Sequence, residues 1–107
     1  MGKKGDKLSN ASTIVAEQIV ERLAAIGGVT TKKMFGGHGI FHDSKMFGLI
    51  DSRGQTFFKA TEDLKAAYED MGSEQHSRMP YFSVPDSILD DQDELTSWAN
   101  KSIEISK

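Results

Sequence analysis

The chain has 107 residues, of which 37% are hydrophobic and 27% charged, with 10 Gly, 2 Pro and a formal net charge of −3, a balance typical of a soluble globular domain. The absence of Cys excludes disulfides, thiolate metal sites, iron–sulfur clusters and cysteine nucleophiles. Apolar runs are only a few residues long, so neither a membrane span nor the apolar segment of a secretion signal is present, and a cytoplasmic location is expected.

Residues 1–8 contain Lys3, Lys4 and Lys7 beside Gly and Asp and read as a solvated, disordered leader. Residues 9–107 read as a single domain. Val15, Ile19, Leu23 and Ile26 recur at helical spacing with Glu17, Gln18, Glu21 and Arg22 turned away, which predicts an amphipathic helix. Ser9 or Ser12 can cap its start, and Gly27 and Gly28 can stop it. Four short apolar and β-branched runs come next, at about 29–35, 38–42, 45–51 and 55–60. The segments His42-Asp43-Ser44-Lys45 and Asp51-Ser52-Arg53-Gly54 have the chemistry of hairpin turns, Gly54 suiting a positive φ.

Thr61-Glu62-Asp63 predicts a cap and an acidic first turn for a helix through Leu64, Ala67, Tyr68 and Met71 that stops at Gly72. Tyr81-Phe82-Ser83-Val84, bounded by Pro80 and Pro85, predicts an edge strand. Leu95, Trp98, Ala99, Ser102 and Ile103 mark a closing helix, for which Asp86 and Asp93 are the expected N-caps. The order α-β-β-β-β-α-β-α predicts an α+β domain of two layers, an antiparallel sheet of four to five strands flanked by helices.

Met46-Phe47-Gly48-Leu49-Ile50 is apolar at both alternating faces, and Phe57-Phe58 repeats the pattern. Three short helices cover one face of such a sheet, so apolar side chains on the other are expected to meet a partner. A homodimer is therefore expected, with Met46, Ile50 and Phe58 as the partner surface.

The composition declares no catalytic constellation. Gly36-Gly37-His38-Gly39 opens a strand and lacks the Gly-Lys-Ser/Thr of a phosphate loop, so its glycines fit close approach of a backbone or side chain. Phe35 and Phe41 beside it fit the core. His38 and His42 on one strand stand roughly 13 Å apart, too far for one metal, and no metal, cofactor or catalytic residue is expected. Ser12, Ser44, Ser52 and Ser73 occur without a nucleophile elbow, and Asp90-Asp91 lie in a solvated region where nothing raises a carboxyl pKa. His38, His76, Arg78 and Tyr81 form the one group that could hold an anion, a partner carboxylate or a small molecule, against the plainer reading that Arg78 pairs with a nearby acid and Tyr81 is core. Residues 27–60 carry a net +3 and residues 61–107 a net −7. Direct nucleic-acid binding through Lys32, Lys33, Lys45, Arg53 and Lys59 is therefore possible but not favoured.

Five segments in order carry a resemblance: Met34-Phe35-Gly36-Gly37-His38-Gly39-Ile40-Phe41, Lys45-Met46-Phe47-Gly48-Leu49-Ile50, Phe57-Phe58-Lys59, Met79-Pro80-Tyr81-Phe82-Ser83-Val84-Pro85 and Leu95-x-x-Trp98-Ala99. Together they resemble the TfoX N-terminal domain family over about residues 14–103. The resemblance implies a secretion-chaperone-like fold of order α-β3-α-β2-α and a bacterial cytoplasmic protein. It further implies a role related to competence regulators that work with a cyclic-AMP-receptor-type transcription factor, and it supplies no catalytic residues. The connection from Gly72 to Met79 is short for that family, so the strand count there is expected to differ.

Overall fold

A computed structural model of the chain describes residues 4–34 and 36–107, with residues 4–10 described by their backbone alone. Met1–Lys3, the start of the expected leader, and Phe35, an expected core aromatic, lie outside the described residues. Helix α1 spans Lys4–Arg22, beginning upstream of the caps expected at Ser9 or Ser12. No proline or β-branched residue interrupts residues 4–12, so a helix held further along can propagate backward through them. Its inner stripe is Ser12, Ala16, Ile19 and Leu23, all buried. Beyond Arg22 the chain tightens, with Ile26 N–H donating to Leu23 O and Gly27 N–H to Ala24 O.

Five strands match the hairpin chemistry closely: β1 (Val29–Met34), β2 (Gly37–His42), β3 (Lys45–Ile50), β4 (Thr56–Lys59) and β5 (Tyr81–Ser83). They form one antiparallel sheet in the order β1-β2-β3-β4-β5. Asp43 and Ser44 both adopt positive φ, 50° and 71°, the two-residue turn whose twist matches a hairpin. At the other end of β3, Gly54 adopts φ 88° and donates its N–H to Asp51 O.

Helix α2 (Glu62–Asp70), α3 (Asp86–Leu89) and α4 (Gln92–Ser106) complete the chain. The observed order is the one read from the residues, with short α3 added before the last helix. It differs from α-β3-α-β2-α. Four strands precede α2 and one comes after it, because residues 71–80 add only a single bridge, Gln75 to Phe82, where a second strand would stand. The end of α2 is closed by Gly72 N–H donating to Glu69 O and Ser73 N–H to Tyr68 O, with Gly72 at φ 82°, the paired bonds that satisfy a helix's last carbonyls. The cap of α4 is Asp91, whose carboxylate accepts from the N–H groups of Asp93 and Glu94. Asp93 thus sits within the first turn, and Asp86 begins α3 behind Pro85.

The main core lies between the helices and one sheet face. Ile40, Gly48, Phe58 and Phe82 stand in register across β2 to β5, and Ile40, Phe58 and Phe82 are buried there with Leu23, Phe47, Ile50, Tyr68, Leu95 and Ile103. A Cβ on Gly48 would stand 2.7 Å from Phe57 O, so only glycine lets this row close. Tyr68 stacks on Phe82 at 5.9 Å and 13°, and meets Trp98 at 4.9 Å, which ties α2 and α4 to the sheet edge. Arg22 donates to Leu89 O and to Gln92 Oε1, and Gln92 Nε2 donates back to Arg22 O. That exchange joins the end of α1 to the α3–α4 corner. Among the described residues no helix is long and apolar enough to cross a membrane.

Asp91→Ala is expected to lower stability by about 1 kcal/mol through loss of the cap, while Asp93→Ala changes it by less than half as much. Phe58→Ala, which opens a cavity at a fully buried position, is expected to cost about 3–5 kcal/mol. Urea denaturation of the three variants checks both statements.

Candidate functional site

The sheet's second face is sorted by an irregularity in β3. Ile40 pairs with Gly48, but the next residue, Phe41, pairs with Met46, leaving Phe47 as an extra residue in the strand. A bulge of this kind turns two successive side chains to similar directions and shifts the alternation beyond it. Phe47 therefore joins the helix-covered core beside Phe58, ring centroids 5.9 Å apart. Met46 packs instead with Leu49, Phe57 and Tyr81 on the opposite side. Strict alternation would have put Met46 and Ile50 on one face. Of the expected partner surface, Ile50 and Phe58 are 1% and 0% exposed inside the core, and only Met46 lies on the second face.

Among the described residues, the helices pack into the main core and not into the cluster on that second face. Leu49, Phe57 and Tyr81 shield one another, joined by Met46, while Phe41 and Met34 crowd over Gly39. A Cβ at Gly39 would stand 2.8 Å from Met34 Sδ and 2.9 Å from the Phe41 ring, which explains two of the clustered glycine-segment features as packing. Phe41 itself is partly exposed and belongs to this face, not to the main core. The segment 71–80 turns back alongside β5, where Ser83 N–H donates to Glu74 O and Gln75 bridges Phe82. His76 N–H donates to Tyr81 O at 2.8 Å and Met79 N–H to His76 O at 3.0 Å, with Ser77 at φ 56°. The turn so held sets the His76 ring edge-on against Phe57, centroids 4.9 Å apart at 78°, and leaves Met79 41% exposed.

Between this turn and the sheet is a cavity of about 500 Å³, lined by Met34, His38, Met46, Leu49, Ile50, Asp51, Ser52, His76 and Met79. The expected anion group is divided by it. His38 and His76 both line the cavity, Arg78 is exposed outside it and Tyr81 lies buried below, where burial raises its hydroxyl pKa. Nδ1 of His38 and Nδ1 of His76 are buried with no hydrogen-bond partner. Burial, and secondarily the charge of Lys33, lowers the His38 pKa from 6.5, so its neutral form is favoured. Met34, Leu49, Phe57 and Met79 were not singled out by sequence reasoning. Alternation marks Leu49 and Phe57 as apolar, but nothing local shows which side of the sheet they reach.

The basic residues do not form one surface. Lys45 and Arg53 lie at opposite ends of β3, and Lys32 and Lys33, adjacent in β1, point to opposite sides of the sheet. Among the described residues no group of three or more His, Asp or Glu side chains could hold a metal ion.

Compared with known proteins, the chain matches the family model of the TfoX N-terminal domain over residues 21–106. That stretch contains all five strands, the cavity and the last three helices. A search of the curated proteins gave no match.

The lowered His38 pKa has a definite sign in stability. The unfolded chain binds this proton more readily than the folded one, so stability is undiminished above pH 6.5 and falls as pH drops below it toward the folded value. The urea midpoint is expected to decline from about pH 7.5 to about pH 5, and His38→Gln to flatten part of that decline. An unchanged slope in the variant would show that His38 is not responsible.

Proposed function

The chain belongs to the TfoX N-terminal domain family, and from that premise we propose that it is a non-enzymatic protein-interaction module in competence-related transcriptional regulation, working as a cytoplasmic homodimer. The observation that carries this reading is the sheet face opposite the packed helices, where half-buried Met34, Phe41 and Met46 lie around buried Leu49 and Phe57. Soluble domains seldom leave such a surface without a partner, and a second copy of the same face is self-complementary under two-fold symmetry. Direct nucleic-acid binding has less support. The basic side chains are dispersed over both ends and both sides of the sheet, and residues 61–107 carry a net −7, which repels phosphate.

Size-exclusion chromatography with light scattering, at tens of micromolar chain, is expected to give twice the 11.8 kDa chain mass. Met46→Glu and Phe41→Glu place a charge on the half-buried part of the face without opening the main core. Each is expected to shift the mass toward a single chain by weakening association at least about tenfold. A single-chain mass for the unaltered protein, independent of concentration, would remove the homodimer. Fluorescence anisotropy with duplex DNA at low salt is expected to show no saturable binding.

A further inference from the structure

The cavity on the open sheet face has wall chemistry of its own. Its volume, about 500 Å³, is within the range that encloses a small organic molecule. Met34, Met46 and Met79 line it with Leu49, and thioether side chains are flexible and polarizable enough to mould around a ring or a branched alkyl group. Glycine at position 39 makes room for Met34, whose sulfur occupies the space a Cβ would need.

The polar part of the wall is equally defined. His76 is fixed by its edge contact with Phe57 and by its backbone bond to Tyr81, and its Nδ1 is sealed without a partner. A buried N–H with no acceptor is the rarer and costlier arrangement, so the packing favours the neutral tautomer that leaves Nδ1 as an unpaired acceptor and carries the proton on Nε2. Among the described residues no Lys or Arg lines the cavity, whereas Asp51 does, its Oδ1 accepting from the N–H groups of Arg53 and Gln55. An anion entering here meets no fixed cation. We propose that this cavity binds a small, uncharged, ring-sized organic molecule carrying a hydrogen-bond acceptor for His76 Nε2–H. The site goes beyond the association reading, although Met34, Met46 and Leu49 belong to both.

Acetophenone is a suitable probe, with ethylbenzene and benzoate as companions of similar size that lack the acceptor or carry a charge. The response is read from the methionine methyl resonances of the full chain, with the mass in the same sample recorded by light scattering. Acetophenone is expected to shift Met34, Met46 and Met79 saturably and to leave Met71, which is exposed at the end of α2, unmoved. Ethylbenzene is expected to bind roughly fivefold more weakly, and benzoate at least about tenfold more weakly. His76→Phe keeps a ring against Phe57 and is expected to erase the preference for acetophenone over ethylbenzene. Met46→Trp fills the cavity and is expected to abolish the shifts. Absence of saturable shifts at the three methionines, an equal response of Met71, benzoate binding as well as acetophenone, or a preference that survives His76→Phe would each overturn the proposal. Binding seen at single-chain mass would overturn the dimer alone, and absence of binding both by the dimer and by single-chain Phe41→Glu would overturn the cavity alone.

Discussion

One additional residue in β3 decides which apolar side chains are core and which are surface. With Phe47 inserted between the pairs Ile40–Gly48 and Phe41–Met46, the strand delivers Phe47 and Ile50 to the helices, and Met46 and Leu49 to the other side. Without the bulge, Phe47 would stand on the open face and Met46 beneath α4, where a flexible thioether would replace an aromatic ring in contact with Phe58. The register of a strand normally assigns whole faces. Here a local slip divides one strand between two clusters, and both depend on where it falls.

The helix side of the sheet is closed by several interactions that act in the same direction. α1 reaches the α3–α4 corner through the Arg22–Gln92 exchange, α2 is anchored by Tyr68 between Phe82 and Trp98, and Ser102 in α4 donates to Lys59 O at 2.8 Å. With the helices drawn to that layer, the described residues on the opposite face are the sheet's own side chains and those of one turn. The bonds of His76 with Tyr81 and Met79 hold that turn as a shelf at the sheet edge. The shelf, not a helix, creates the cavity, so the features with binding chemistry are confined to the side that carries least of the main core.

This division also accounts for how the site's charges behave. The His76 imidazole is packed against Phe57, and His38 is held toward its neutral form by burial and by Lys33. The cations that could have made an anion site are exposed elsewhere, as Arg78 shows. A wall of thioethers and imidazoles with no Lys or Arg among the described residues suits the neutral ligand proposed above.

Much of the architecture was legible in local chemistry. Helical spacing in Ile19 and Leu23, turn residues at Asp43-Ser44 and Gly54, the stop at Gly72 and the proline-bounded β5 each act within a few residues, so composition and spacing located every element but short α3 and gave their order, while five quoted segments carried the family resemblance. Cap selection was less legible, because Asp86, Asp90, Asp91 and Asp93 are chemically alike and only backbone geometry makes Asp91 the acceptor for two N–H groups. The facing of β3 and the union of Met34, Met46, His76 and Met79 around one cavity were decided by tertiary structure. A bulge arises from pairing with a neighbouring strand, and residues separated by more than forty positions meet only after the sheet and its flanking turn have formed.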